Sequence, residues 1–217
     1  MRYIDPDTWP RRAHCDFFAR VAKPFYSVSF PLDVTEAYAF AKRAGLSFYY
    51  VMIWLCTRAT NRVEAFRYKL RLDGVVLHDF LSPSFTFSFA DDLFGIVNLD
   101  CMPEEDVCSF CARAARAQAA QTEPLPSPKE DARDDQIYFS CLPWFSYYHV
   151  TQESTGDPND STPRLMWGKF EEKDGRRILP MTAQVNHRLI DGIHIHRLKQ
   201  EMEKQIAILQ NSSCFPV

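Results

Sequence analysis

Residues 184–192 read Gln184-Val185-Asn186-His187-Arg188-Leu189-Ile190-Asp191-Gly192. The run that leads into them, 178–185, is mostly apolar without helical spacing, which predicts a buried strand. Asp191-Gly192 is a turn signal, and beyond it 193–209 resumes with helical periodicity. The stretch is thus the joint between a buried strand and a helix. A histidine leaving the end of a buried strand is well placed for chemistry. Neighbouring backbone can hold its ring, and the glycine lets the chain turn sharply beside it. Taken alone, His-x-x-x-Asp-Gly also reads as an ordinary polar turn.

Working outward, residues 165–171 predict the strand before this one, entering it through Asp174-Gly175. Residues 136–142 predict another, ending at Pro143-Trp144. The segments 121–135 and 153–163 are rich in proline and charge and read as surface loops. Residues 104–120 predict a helix with acids in its first turn and arginines later, matching its dipole. Further upstream, 85–89 and 94–99 are strand candidates, and 67–72 with 75–80 flank Asp73-Gly74, a hairpin signal. Residues 46–61 are apolar almost all round and predict a buried helix. A helix capped by Asp33 or Thr35 runs to Arg43, where Gly45 suits a left-handed end. Residues 25–30 predict a strand and 14–21 a short helix, while 1–12 read as an arm outside the core. This alternation predicts α/β architecture in a single domain spanning 1–217.

Composition narrows the function classes. A chain of 217 residues with 46% hydrophobic and 24% charged residues buries a real core and is not disordered. A net charge of -3 gives no support to a nucleic-acid surface, and no Lys/Arg run is long enough to suggest one. The seven cysteines are an odd number without paired spacing. Cys108-x-x-Cys111 falls inside a predicted helix, so packing is expected there rather than metal binding. Thiols of this kind suggest a reducing compartment. Asp5, Pro6 and Asp7 stand where a signal peptide would be apolar, and no run approaches membrane-spanning length. A cytoplasmic protein with no membrane partner is expected.

Several segments then carry a resemblance: Trp9-Pro10-Arg11-Arg12-Ala13-His14-Cys15-Asp16-Phe17-Phe18, Ser47-Phe48-Tyr49-Tyr50-Val51-Met52-Ile53, Phe66-Arg67-Tyr68, Ser82-Pro83-Ser84-Phe85-Thr86, Ser140-Cys141-Leu142-Pro143-Trp144 and His187-x-x-x-Asp191-Gly192. In order and spacing the chain resembles the chloramphenicol acetyltransferase family. The resemblance implies a two-layer sandwich, a mixed β-sheet packed against helices. It also implies acetyl transfer from acetyl-coenzyme A, as co-substrate, to a hydroxyl of chloramphenicol or a similar small alcohol, with no metal.

The implied roles fall residue by residue. His187 matches the general base, an imidazole being suited to taking and returning a proton near neutrality. Ser140 matches the donor to the tetrahedral oxyanion. Asp191 matches an aspartate held in a structural salt bridge with an N-terminal arginine, here Arg11. Trp144, Lys169 and Phe170 match the coenzyme-binding region. Phe18, Phe25, Tyr26, Phe94, Tyr147 and Tyr148 lie in or near the segments that line the acceptor pocket. The family joins three subunits with active sites at their boundaries, so a homotrimer is implied. The chain also departs from the family. Asn186 replaces the first of two adjacent histidines, Ser47 a lysine, and Met166 a threonine, while Ala22-Lys23-Pro24 replaces a leucine-proline-cysteine run. Two other readings stand beside this one: an acyltransferase of the dihydrolipoyl class, and a catalytically silent homologue that binds a small molecule.

Overall fold

The computed structural model describes residues 1–210 and Ser212. In chain order the elements are β1 (Arg2–Tyr3), α1 (Arg12–Phe18), β2 (Phe25–Asp33), α2 (Thr35–Arg43), α3 (Phe48–Asn61), β3 (Tyr68–Arg71), β4 (Gly74–Leu77), β5 (Ser82–Ser88), β6 (Phe94–Asn98), α4 (Val107–Ala119), α5 (Pro128–Asp131), β7 (Gln136–Leu142), β8 (Arg164–Gly168), β9 (Glu171–Lys173), β10 (Arg176–Asn186) and α6 (Gly192–Gln210). A single 3-10 turn, Glu64–Arg67, precedes β3.

The large sheet runs β2-β10-β8-β7-β5-β6, with β9 beside β10. It is mixed: β7 lies parallel to both β5 and β8, and the other pairs are antiparallel. Alternation along the strands sorts their side chains. Leu179, Met181, Ala183 and Val185 of β10 share a face with Leu165 and Trp167 of β8, Phe139 of β7 and Phe85 of β5, all buried. Against that face lie α2, α3, α4 and α6, with α3 touching all three of the others. The all-round apolar reading of α3 follows, since Val51 through Cys56 are buried. Each large apolar side chain removed from water here contributes about 1.5–3 kcal/mol.

The opposite face is polar. Ser29 and Thr182 meet at 2.7 Å, and Ser27 donates to Gln184 at 3.1 Å. Tyr138, Ser140, Arg164 and Met166 continue the same set across the sheet by register. The mixed sheet with helices matches the expected two-layer architecture.

Several expectations need correction. Residues 2–3 are not free arm but an edge strand, pairing with β4 in a small sheet of order β1-β4-β3. Its hairpin turns at Leu72-Asp73, because Gly74 already pairs with Arg71 and opens β4 at φ +147°. The 104–120 helix begins later, at Val107, with Asp106 accepting from the backbone N–H groups of Cys108 and Ser109. Glu104 and Glu105 therefore lie outside its first turn, and Glu105 pairs with Arg113 instead. The 121–135 loop contains α5, started by a reciprocal Ser127–Glu130 cap. The predicted 165–171 strand is broken into β8 and β9 around Lys169. Cys15, Cys56, Cys101, Cys111 and Cys141 are free thiols, with Cys111 buried in α4 as expected. Cys214 lies outside the described residues. Among the described residues no helix is long and apolar enough to cross a membrane.

Candidate active site

β10 delivers His187 at its end, and the chain then turns within a few residues. The Asn186 carbonyl accepts from the N–H groups of both Leu189 and Ile190, which closes that turn. Arg11, just ahead of α1, grips it. Its Nη1 and Nη2 donate to the two Asp191 oxygens at 2.6 and 2.7 Å, a bidentate fork. The same guanidinium donates from Nη2 to the His187 carbonyl and from Nε to the Arg188 carbonyl, both at 2.9 Å. Four bonds from one rigid planar group fix the turn relative to the N-terminal segment. The guanidinium also holds the Asp191 carboxyl below its usual range.

The imidazole is held by stacking. Phe18 lies nearly parallel to it, centroids 4.0 Å apart and planes 13° off, and Tyr26 lies at 4.4 Å and 32°. The His187 N–H donates to the Pro24 carbonyl at 2.7 Å, anchoring the ring's backbone to the start of β2. Nδ1 is buried and stands 3.1 Å from Asp191 Oδ1, but the angle makes no hydrogen bond. Asp191 is therefore committed to Arg11 and only adjacent to the histidine. The other ring nitrogen, Nε2, has no hydrogen bond to any described residue. The Tyr26 hydroxyl donates to the Ile190 carbonyl at 3.3 Å, and burial pushes its pKa up to about 12. It stays a neutral phenol at working pH.

The other proposed centre, Ser140, sits on the polar face of β7, with the Thr86 hydroxyl 3.5 Å away. Register places it far from His187. Ser140 lies level with Met166, and Met166 with Thr182. Two strand spacings of about 4.8 Å and five residues of about 3.4 Å then separate Ser140 and His187 by on the order of 20 Å. They also face opposite ways: His187 stacks on Tyr26, which packs against the core on the helix side. One chain does not bring the two together.

The remaining candidates divide the same way. Phe18, Tyr26 and, beside Asn186, Phe25 gather at the His187 end. Tyr147 lies toward Ser140, its hydroxyl donating to the Met166 carbonyl at 2.9 Å. Phe94 opens β6 at the far edge of the sheet and is exposed. Trp144 follows β7 and is 70% exposed, and Tyr148 is exposed in the same loop. Lys169, also exposed, bonds that loop through its N–H to the Phe145 carbonyl at 2.9 Å. Phe170 is half-buried against Tyr38 and Phe48, with the Arg177 guanidinium over its ring.

Two contacts at the site were not foreseen. The Asp191 N–H donates to His194 Nδ1 at 2.9 Å, and burial lowers the His194 pKa, consistent with an accepting nitrogen. A residue three positions into a helix reaching back to the preceding N–H is a recognisable capping signal, although histidine is an unusual choice. The second contact is Asn186, whose side chain binds the 158–160 backbone. Nothing local in the sequence pointed to that partner.

The geometry can be set beside known proteins. A family model described as chloramphenicol acetyltransferase matches residues 1–203. The chain is 29% identical over 195 residues to chloramphenicol acetyltransferase 2 of Escherichia coli, covering 89% of this chain and 91% of that one. It is also 29% identical over 209 residues to a chloramphenicol acetyltransferase of Streptomyces acrimycini, covering 94% and 93%. A solved chloramphenicol acetyltransferase superposes with a TM-score of 0.86 at 24% identity, over 94% of this chain and 99% of its own. An Azotobacter vinelandii dihydrolipoamide acetyltransferase shares the fold more distantly, with a TM-score of 0.66 at 18% identity over 92% and 86%.

Proposed function

Since the chain belongs to the chloramphenicol acetyltransferase family and is an acetyltransferase, we propose that it moves an acetyl group from acetyl-coenzyme A to a hydroxyl of chloramphenicol or a similar small alcohol in the cytoplasm. His187 Nε2 takes the proton of the acceptor hydroxyl, and the oxygen attacks the thioester carbonyl. The tetrahedral oxyanion accepts a hydrogen bond from the Ser140 hydroxyl, worth roughly 2–4 kcal/mol if well aimed. Collapse breaks the carbon–sulfur bond, and the departing thiolate takes its proton from the His187 imidazolium. No acyl-enzyme forms, so no cysteine is required as nucleophile.

The observation that carries this reading is the His187 ring, held between Phe18 and Tyr26 with Nδ1 buried and Nε2 unengaged. A pinned imidazole with one free nitrogen suits a general base. Trp144 and Lys169, joined through the Phe145–Lys169 bond, offer an indole face and a cation to the coenzyme. Phe170 borders them. Phe18, Phe25, Tyr26, Phe94 and Tyr147 supply aromatic walls for the acceptor.

The separation of His187 from Ser140 supports a homotrimer with shared sites. Both groups must reach one reacting carbonyl, and a second chain can supply the one that the first places out of reach. A three-fold ring joins unlike surfaces head to tail, as such a pairing requires. The exposed Leu93, Phe94, Trp144, Phe145 and Tyr148 offer apolar area for a neighbour or a substrate to cover.

The test is coenzyme A release with a panel of alcohols that includes chloramphenicol. Turnover is expected with the wild-type chain and lost in His187→Ala, with the fold and coenzyme binding kept. Near-normal turnover by that variant would sink the assignment.

A further inference from the structure

The segment 158–161 is trapped between two parts of the molecule. On one side, Asn186 is 2% exposed and its amide is fully used. Its Nδ2 donates to the carbonyls of Pro158 and Asp160, both at 2.9 Å, and its Oδ1 accepts from the Arg188 N–H at 3.0 Å. Arg188 adds a bond from Nη1 to Asn159 Oδ1 at 2.7 Å. On the other side the segment rests on β3. The Leu70 N–H donates to Ser161 Oγ at 2.9 Å, and Lys69 Nζ to the Ser161 carbonyl at 3.5 Å. Arg164 pins Asp160 at 2.7 Å, with both side chains nearly sealed from water.

The segment is thus a strut between the small sheet and the turn that carries His187. Arg11 holds that turn from the N-terminal side, and Asn186 with Arg188 hold it from the other. We propose that Asn186 is a positioning residue, fastening the 158–161 strut to the His187 turn so that the strut, seated on β3, helps fix the imidazole. The proposal rests on His187 being the base. The chemistry of the side chain explains the residue type. A carboxamide offers two diverging N–H donors and an acceptor, whereas a neutral imidazole offers one donor and one acceptor. Histidine here would leave a buried carbonyl without its partner.

The experiment measures hydrogen exchange by mass spectrometry and kinetics on the full chain. In Asn186→Ala, peptides covering 153–163 and 187–191 should exchange together about 10-fold faster or more, while α2 and α4 keep their protection. The kcat should fall about 10- to 100-fold, with KM for acetyl-coenzyme A within about twofold. Asn186→His should fall between that variant and the wild type. If Asn186→Ala does not fold, Asn159→Ala, which removes only the partner of Arg188, should shift the same readouts in the same direction by less. Loosening of 153–163 with the turn and kcat unchanged would overturn the proposal, as would no loosening at all. Should the wild-type chain turn over no acceptor, the acetyl-transfer reading fails on its own. The exchange data then decide the strut: joint loosening supports it and independent loosening overturns it.

Discussion

At the residue scale, the Arg11–Asp191 fork is the clearest object in the site. The Asp191 side chain is 31% exposed and that of Arg11 13%, so the pair is shielded from water without being fully desolvated. Asp191→Asn should lower stability by about 1–3 kcal/mol by leaving the guanidinium short of a charge. A double-mutant cycle with Arg11→Gln should show coupling of about 0.5–3 kcal/mol in denaturant unfolding, and no coupling would remove the pairing. Arg11 holds the Asp191 pKa down, so the fork's contribution is complete above the unfolded value of about 3.9 and is lost as pH falls through the lower folded value. Wild type and Asp191→Asn should therefore begin to converge in stability as pH falls below about 4, and meet only below the lower folded value. For Ser140→Ala, kcat should drop roughly 10²- to 10³-fold with little change in KM, as for one lost oxyanion donor. A change in KM alone would make Ser140 a binding residue. The strand-end position of His187 and the Arg11–Asp191 pairing were legible because motif and order carry them. The clasp of Asn186 on 158–161 was not, because backbone carbonyls some 26 residues away leave no mark in a sequence.

Among the elements, the strands were read better than their ends. β7 was predicted with its observed bounds, since its strand-forming run stops at Pro143. β8 was predicted too long, and Gly168 shows why. A Cβ there would meet the Phe145 carbonyl at 2.9 Å, the Tyr147 ring at 3.0 Å and Pro180 at 3.1 Å. The loop after β7 folds down onto this glycine and takes the Lys169 N–H out of the ladder. Close approach of backbone to backbone is a tertiary event, and a strand propensity does not register it. Gly168→Ala should push the 143–149 loop outward, raising KM for acetyl-coenzyme A more than it lowers kcat. Steady-state kinetics measures this, and unchanged KM would detach the loop from coenzyme binding. The start of α4 was misplaced for a simpler reason. Glu104 and Glu105 look like a first turn, yet the Asp106 carboxylate takes the N-cap.

For the whole molecule, the buried Lys69 joins the small sheet to the large one. Its Nζ donates to the Gln136 carbonyl at 2.8 Å, with Asp134, Asp135, Asp160 and Arg164 around it, and burial lowers its pKa to about 7. The unfolded chain, with lysine near 10.4, then binds more protons between about pH 7 and 10.4. Wild-type stability should rise with pH through that window, by at most about 1.4 kcal/mol per pH unit from this group. Lys69→Met should lose that rise, measured by urea unfolding at two pH values, and an identical slope in both proteins would refute the assignment. The α/β class was legible from the alternation of elements, and the two-layer mixed sheet from the family resemblance. The distance between His187 and Ser140 was not, since it depends on which strands lie between them. Mixed equally, inactive His187→Ala and Ser140→Ala chains should regain about one quarter of wild-type activity if each site draws one residue from each of two head-to-tail neighbours. An active monomer would end that idea.

The gap between those two residues also reaches into genetics. If His187 serves a neighbour's Ser140, a lesion in one copy of the gene is felt at a site that another copy helps to build. Two defective alleles expressed in one cell can then yield a working enzyme. A strain carrying both should outgrow strains carrying either alone wherever acetylation of the alcohol is needed for growth. A single broken allele beside a sound one would in turn disable sites that the sound allele helped to make. Inheritance would act on the ring, with the individual chain no longer the unit that succeeds or fails.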